Sequence, residues 1–152
     1  MMDFARWLHM LGVTVWVGGM FFAYMALRPV AATVLAPPLR LPLWRGTFAR
    51  FFPWVWVSIV LILSTGLHMT MRLGGSQAPP HVLAMAGIGI VMMLIFAHIF
   101  FSPYRRLGRY VEAQDWPAAG VALAQIRRLV GLNLILGLVT VTVATAGRAV
   151  IA

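Results

Sequence analysis

The fold is decided by the first apolar stretch, WLHMLGVTVWVGGMFFAYMAL (residues 7–27). It is about 20 residues long, which is enough for a helix to span a bilayer. At about 100° per residue, Gly12, Trp16 and Gly19 fall within roughly 80° of His9 on one face of this helix. That face combines an imidazole, a frequent metal and heme ligand, with glycines that leave room beside it. We therefore expect a metal ion or a large cofactor against this face.

The composition of the whole chain is that of a multi-pass membrane protein. Of its 152 residues, 62% are hydrophobic and 10% are charged. No soluble domain of this size can bury so much apolar surface. Four apolar segments are long enough to cross a bilayer, and they predict an all-α, four-transmembrane-helix bundle in a single domain, residues 1–152. The predicted helices cover residues 4–27, 52–71, 81–102 and 116–147.

The arginines predict the orientation of the protein in the membrane, and all 12 basic residues are arginine. The first and third loops (residues 28–51 and 103–128) carry four and five arginines, whereas the second loop (residues 72–80) carries one. Because basic residues collect in cytoplasmic loops, this count places both termini in the periplasm of a bacterial inner membrane. Basic residues in such loops contact anionic lipid headgroups, and this explains the net charge of +9, so no nucleic-acid partner is expected.

Several classes of function are excluded by motifs that the sequence lacks. There is no cysteine, which excludes disulfides, iron–sulfur clusters and thiolate metal sites. The sequence also contains no phosphate-binding glycine loop, dinucleotide fingerprint or nucleophile–base motif. Any catalysis would therefore be carried by a redox cofactor, as in a heme-dependent membrane oxidoreductase.

The predicted topology gives each of the four histidines a depth in the membrane. His9 and His68 each lie about one helical turn below the periplasmic surface, and His81 opens the third helix at that surface. These three histidines share one layer and are expected to bind a common ligand. His98 lies about 25 Å deeper, near the cytoplasmic end, without a histidine companion.

The first candidate ligand is heme b, because paired imidazoles between transmembrane helices commonly hold it. His9 with His68 or His81 would supply the axial ligands, and His98 would belong to a second site, so that one or two hemes bind per chain. Such a protein would transfer electrons at the periplasmic face, with a quinone or a periplasmic protein as its redox partner.

Other residues around this layer match what a heme needs. Gly12 and Gly19 would admit the ring, and Trp16 would pack against it. Arg6 and Arg72, on the periplasmic side, would meet the heme propionates.

The second candidate ligand is copper, since imidazole and thioether ligands suit Cu(I). The segment His68-Met69-Thr70-Met71 is a short His/Met cluster at the periplasmic mouth, level with His9 and His81. A copper route into the membrane could continue along the third helix, over Met85, Met92 and Met93. A third alternative is a purely structural membrane subunit, and the sequence leaves open whether the protein forms a homo-oligomer.

The chain resembles the short CopD-like (copper resistance protein D) membrane proteins over nearly its whole length. The resemblance rests on short motifs, among them Leu8-His9, Trp16-Val17-Gly18-Gly19-Met20-Phe21, Phe96-Ala97-His98-Ile99 and Asp115-Trp116-Pro117. It implies a four-helix protein of copper uptake. A more distant likeness to HemJ, a heme-binding protoporphyrinogen oxidase, rests on His9, Trp16 and His81. It implies heme binding at His9 rather than the oxidase activity, because the lysine that follows the third-helix histidine in HemJ has no counterpart in this lysine-free chain.

Overall fold

The structure is a computed structural model that describes the backbone of residues 2–150 and the side chains of residues 2–146. This part of the chain is almost entirely helical and contains no strand. Four helical stretches are long and apolar enough to cross a membrane: Met2–Val34, Pro37–Arg72, Pro80–Glu112 and Trp116–Ala146. The predicted all-α, four-span architecture is therefore confirmed, whereas the orientation of the termini stays a prediction from the arginine count.

The first span extends further than the sequence predicts. Helix α1 (Met2–Phe22) continues without a break into a π-helical segment (Ala23–Leu27) and then into α2 (Arg28–Val34). Pro29 lacks a backbone N–H, and its ring would clash with the carbonyl four residues earlier in a regular α-helix. The wider π turn accommodates it, with the N–H of Arg28 bonded five residues back. Residues 28–34, predicted to be loop, are therefore helical.

Helix α3 (Pro37–Arg72) covers most of the predicted first loop as well as the second span. From the sequence, Pro37, Pro38 and Pro42 are expected to break the first loop, and residues 39–51, which mix Leu, Trp and Phe with three arginines, are expected to form a short interfacial helix. Instead, Pro42 and Pro53 both lie inside one continuous helix, on its exposed side. The opposite side holds the helix together across both prolines because it is buried in the core through Leu41, Trp44, Phe48 and Phe52.

The third span also continues past its predicted end. A turn with a short 3₁₀ segment (Gly75–Gln77) leads to α4 (Pro80–Phe101). After an irregular residue at Ser102, α5 (Pro103–Glu112) continues the stretch, so the third loop is largely helical. The arginines of this predicted loop consequently lie on helices rather than on free chain.

Helix α6 (Trp116–Val150) begins directly behind Asp115. The sequence Asp115-Trp116-Pro117 predicts a helix start, with an N-cap aspartate and a proline in the first turn. The Asp115 carboxylate accepts a hydrogen bond from the backbone N–H of Ala118 at 3.1 Å, which confirms this N-cap. Further along α6, the buried amide of Asn133 donates to the backbone carbonyl of Met92 at 3.2 Å. Such a bond between α6 and α4 is what a polar side chain within a membrane span is expected to form with a neighbouring helix.

The core is aromatic and lies toward the arginine-rich end of the bundle. The rings of Phe52 and Phe96 meet edge to face with centroids 5.2 Å apart, and Trp16 packs on Phe96 at 6.2 Å. The outer surface is apolar too, with large side chains such as Leu67 and Leu94 exposed, as expected of a surface that faces lipid. The end of the bundle that carries His9 is less filled, and this leaves a cavity.

Candidate functional site

A cavity of about 360 Å³ opens among α1, α3, α4 and α6, at the end of the bundle opposite to most of the arginines. Helix α1 contributes His9 to its wall and α3 contributes Met69. Helix α4 contributes three methionines, Met85, Met92 and Met93. Among the described residues that line it there is no aspartate, glutamate or arginine. The cavity is therefore an apolar space with one imidazole and four thioethers.

His9 is held by a hydrogen bond to α3. Its Nδ1 lies 3.0 Å from Oγ1 of Thr65. Thr65 donates its own hydroxyl proton to the backbone carbonyl of Leu61, so its oxygen accepts the proton of His9 Nδ1. On this basis we assign the tautomer in which Nε2 keeps a free lone pair. A neutral imidazole whose second nitrogen is oriented by a protein hydrogen bond is the form that binds metals.

Gly66 lets the His9 ring lie directly against α3. A Cβ atom at this position would lie 3.3 Å from His9 Cε1, which is tighter than ordinary van der Waals contact. Thr65 and Gly66 thus seat the ring together. Thr65 is not among the site residues predicted from the sequence. The available signal is its position one helical turn before Met69, on the α3 face that carries the cavity ligands.

Gly12 and Gly19 do not leave room for a cofactor, contrary to the expectation from sequence. A Cβ atom at Gly12 would lie 3.1 Å from Ile62 Cγ1, and one at Gly19 would overlap the ring of Phe51. Both glycines instead let α1 approach α3 closely, as small residues do between membrane helices. Trp16 is only 2% exposed and closes the cavity against the aromatic core.

The other three histidines do not line the cavity that His9 lines. In the part of the chain that the structure describes, no three His, Asp or Glu side chains come together as a metal-binding group. His68 lies about 160° around α3 from Gly66, away from the cavity. His81 does not line the cavity, and its buried Nδ1 has no hydrogen-bond partner among the described residues. His98 is exposed near the end of α4.

The remaining predicted site residues lie at the outer surface. Arg6 pairs with Asp3 at 3.5 Å, both of them exposed. Arg72 is exposed at the end of α3, and Met71 is 69% exposed. The heme interpretation therefore finds no support in this geometry, since neither His68 nor His81 lines the cavity with His9, the space beside Gly12 and Gly19 is filled, and Arg6 and Arg72 are exposed.

The fold and the cavity define the protein as a multi-pass helical membrane protein whose helices enclose a cavity lined by one histidine and four methionines. The family model of CopD, copper resistance protein D, matches residues 45–146, well over half of the chain. The chain therefore belongs to the CopD family. The match begins within α3, so α1 and His9 lie outside it. Neither a curated protein nor a solved structure matches this chain.

Proposed function

We propose that the protein binds Cu(I) within the bilayer and takes part in copper uptake across a bacterial inner membrane. The observation that carries this proposal is the cavity wall, with one imidazole, four thioethers and no carboxylate among the described lining residues. Thioethers and neutral imidazoles favour Cu(I) over harder ions, which prefer oxygen ligands. Membership of the CopD family supports the same metal.

The order of the ligands along the helices favours a path over a single storage point. His9 lies near the start of α1, Met69 near the end of α3 and Met85 near the start of α4, so all three belong to the same end of the bundle. Met92 is about 10 Å further along α4 than Met85, at about 1.5 Å of rise per residue. Beyond Met92 the cavity ends at the buried side chain of Trp16. Copper could thus move inward between thioethers, and onward passage would require the aromatic core to open.

Titration of the detergent-purified protein with Cu(I) against a chromophoric chelator tests the site through its methionines. We expect Met69→Leu to weaken Cu(I) binding about tenfold or more, because the change removes a ligand and keeps the side-chain volume. Met71→Leu is the matched control, since Met71 is exposed two residues later on the same helix. Equal affinities of the two variants would contradict the proposal.

The histidine offers a second test with its own control. His9→Ala should lower the Cu(I) affinity and remove nitrogen from the copper coordination shell seen by X-ray absorption, whereas the exposed His98→Ala should change neither. A protein that binds no Cu(I), or that is purified with a Soret band lost on His9→Ala, would overturn the copper proposal.

A further inference from the structure

A second and larger cavity lies at the arginine-rich end of the bundle. Its volume is about 610 Å³, and it is bounded by the π-helical segment, α2, the start of α3 and the first half of α6. It shares no lining residue with the histidine–methionine cavity. The ligand of this cavity must therefore be argued from its own residues.

Three arginines line this second cavity: Arg28, Arg40 and Arg127. Arg28 lies over the ring of Tyr24, with its Cζ 4.8 Å from the ring centroid. Arg40 donates to the backbone carbonyl of Ala32 at 3.4 Å. Neither contact neutralises a charge, and no aspartate or glutamate is found among the described lining residues.

None of the three carboxylate side chains forms an ion pair with these arginines. The sequence contains three acidic residues. Asp3 pairs with Arg6, and Glu112 pairs with Arg45. Asp115 caps the N-terminus of α6. The positive charge of the cavity is thus not balanced within the described chain, and an anion at the membrane surface would neutralise it.

The remaining wall of the second cavity is apolar and aromatic. It is formed in large part by Leu41, Trp44, Phe48, Trp116 and Leu123. A small soluble anion would leave these surfaces uncovered, whereas an amphiphile would cover them with its apolar part and meet the arginines with its headgroup. The position fits as well, because basic pockets between membrane helices bind anionic lipid headgroups.

The π-helical segment shapes this cavity. It places Tyr24 so close to α6 that a Cβ atom at Gly131 would lie 3.0 Å from Tyr24 Cε2. Tyr24 in turn supports the Arg28 guanidinium. The irregular turn therefore sets the position of an arginine at the cavity, as π turns often do at binding sites.

From these observations we propose that the second cavity is a binding site for an anionic phospholipid. Arg28, Arg40 and Arg127 meet the phosphate, and an acyl chain lies along the apolar wall formed with Trp44 and Leu123. The site is independent of copper, so its test does not depend on the proposed function.

Native mass spectrometry of the full-length protein, released from nanodiscs of phosphatidylglycerol and phosphatidylcholine with the same acyl chains, tests this site. We expect the protein to retain phosphatidylglycerol about tenfold over phosphatidylcholine. The double variant Arg28→Gln/Arg127→Gln should lose this preference. The control Arg50→Gln/Arg128→Gln removes the same charge from exposed arginines that line neither cavity and should keep it.

Each other outcome overturns the proposal. Equal retention of both lipids would show an apolar groove without headgroup recognition. Displacement of phosphatidylglycerol by inorganic phosphate would show that the arginines bind a free anion rather than a lipid. An equal loss in both double variants would show a diffuse effect of surface charge. If the first double variant does not fold, the single variants Arg127→Gln and Arg128→Gln are compared instead, and only Arg127→Gln should weaken the preference for phosphatidylglycerol that the unmodified protein shows.

Discussion

At the scale of the residue, His9 depends on a partner 56 positions later in the chain. His9 can be identified from the sequence because an imidazole within an apolar span carries a free-energy cost and is therefore usually functional. Thr65 cannot be identified in this way, since the pairing depends on which side of α3 faces α1. The bond matters because it orients the ring and sets the tautomer that leaves Nε2 free for a metal.

We expect Thr65→Val to weaken Cu(I) binding by about tenfold to a hundredfold, as loss of a hydrogen-bond partner behind a metal ligand usually does. The change keeps the side-chain shape and removes the oxygen that accepts the His9 proton. Thr65→Ser should restore most of the affinity, which separates a positioning role from a packing defect. The chelator competition assay measures both variants, and failure of serine to rescue would count against this role.

At the scale of the element, the glycines of α1 serve helix packing rather than a cofactor. The face of His9, Gly12 and Gly19 is real, yet it is occupied by α3, with Ile62 and Phe51 against the two glycines. The prolines also differ from expectation, since they do not end the helices in which they lie. Pro42 lies within a helix that buried aromatic contacts hold together, and Pro29 is absorbed by a π turn.

Substitution of two glycines on α1 tests whether a glycine there is needed for the close contact with α3. Gly12→Leu should destabilise the protein by about 1–3 kcal/mol, because the new side chain meets Ile62 and the backbone of Ser58. Gly18→Leu should be close to neutral, since no atom lies within 4 Å of a Cβ placed there. Thermal unfolding in detergent measures both variants, and equal melting temperatures would contradict the packing of α1 on α3.

At the scale of the whole molecule, the two ends of the bundle differ in chemistry. One end holds the histidine–methionine cavity and few charges, and the other holds the arginine-lined cavity and most of the arginines. The aromatic core around Phe52 and Phe96 separates them. From this asymmetry the positive-inside rule predicts that the histidine–methionine cavity lies on the periplasmic side of the membrane.

The absence of cysteine permits a direct test of this orientation. Single-cysteine variants at Ser76 and Gln114, both exposed and at opposite ends of the bundle, can be treated with a membrane-impermeant thiol reagent. Ser76→Cys should be labelled from the periplasm with the inner membrane intact, and Gln114→Cys only after lysis. The reverse pattern would invert the topology and place the histidine–methionine cavity on the cytoplasmic side.

The four membrane-spanning helices follow from the sequence alone. The sequence also names His9, His68, His81, Met69 and Met71 as candidate copper ligands, with Met85, Met92 and Met93 as a possible route inward. Span length and apolar content are properties of one segment, so they need no knowledge of its neighbours. Which of these candidate ligands line the same cavity is known only from the tertiary structure, because the rotation of each helix about its axis depends on its packing partners. The predicted membrane depth of His68 equals that of His9. In the structure, however, α3 is rotated so that Met69 and Thr65, rather than His68, face the other helices.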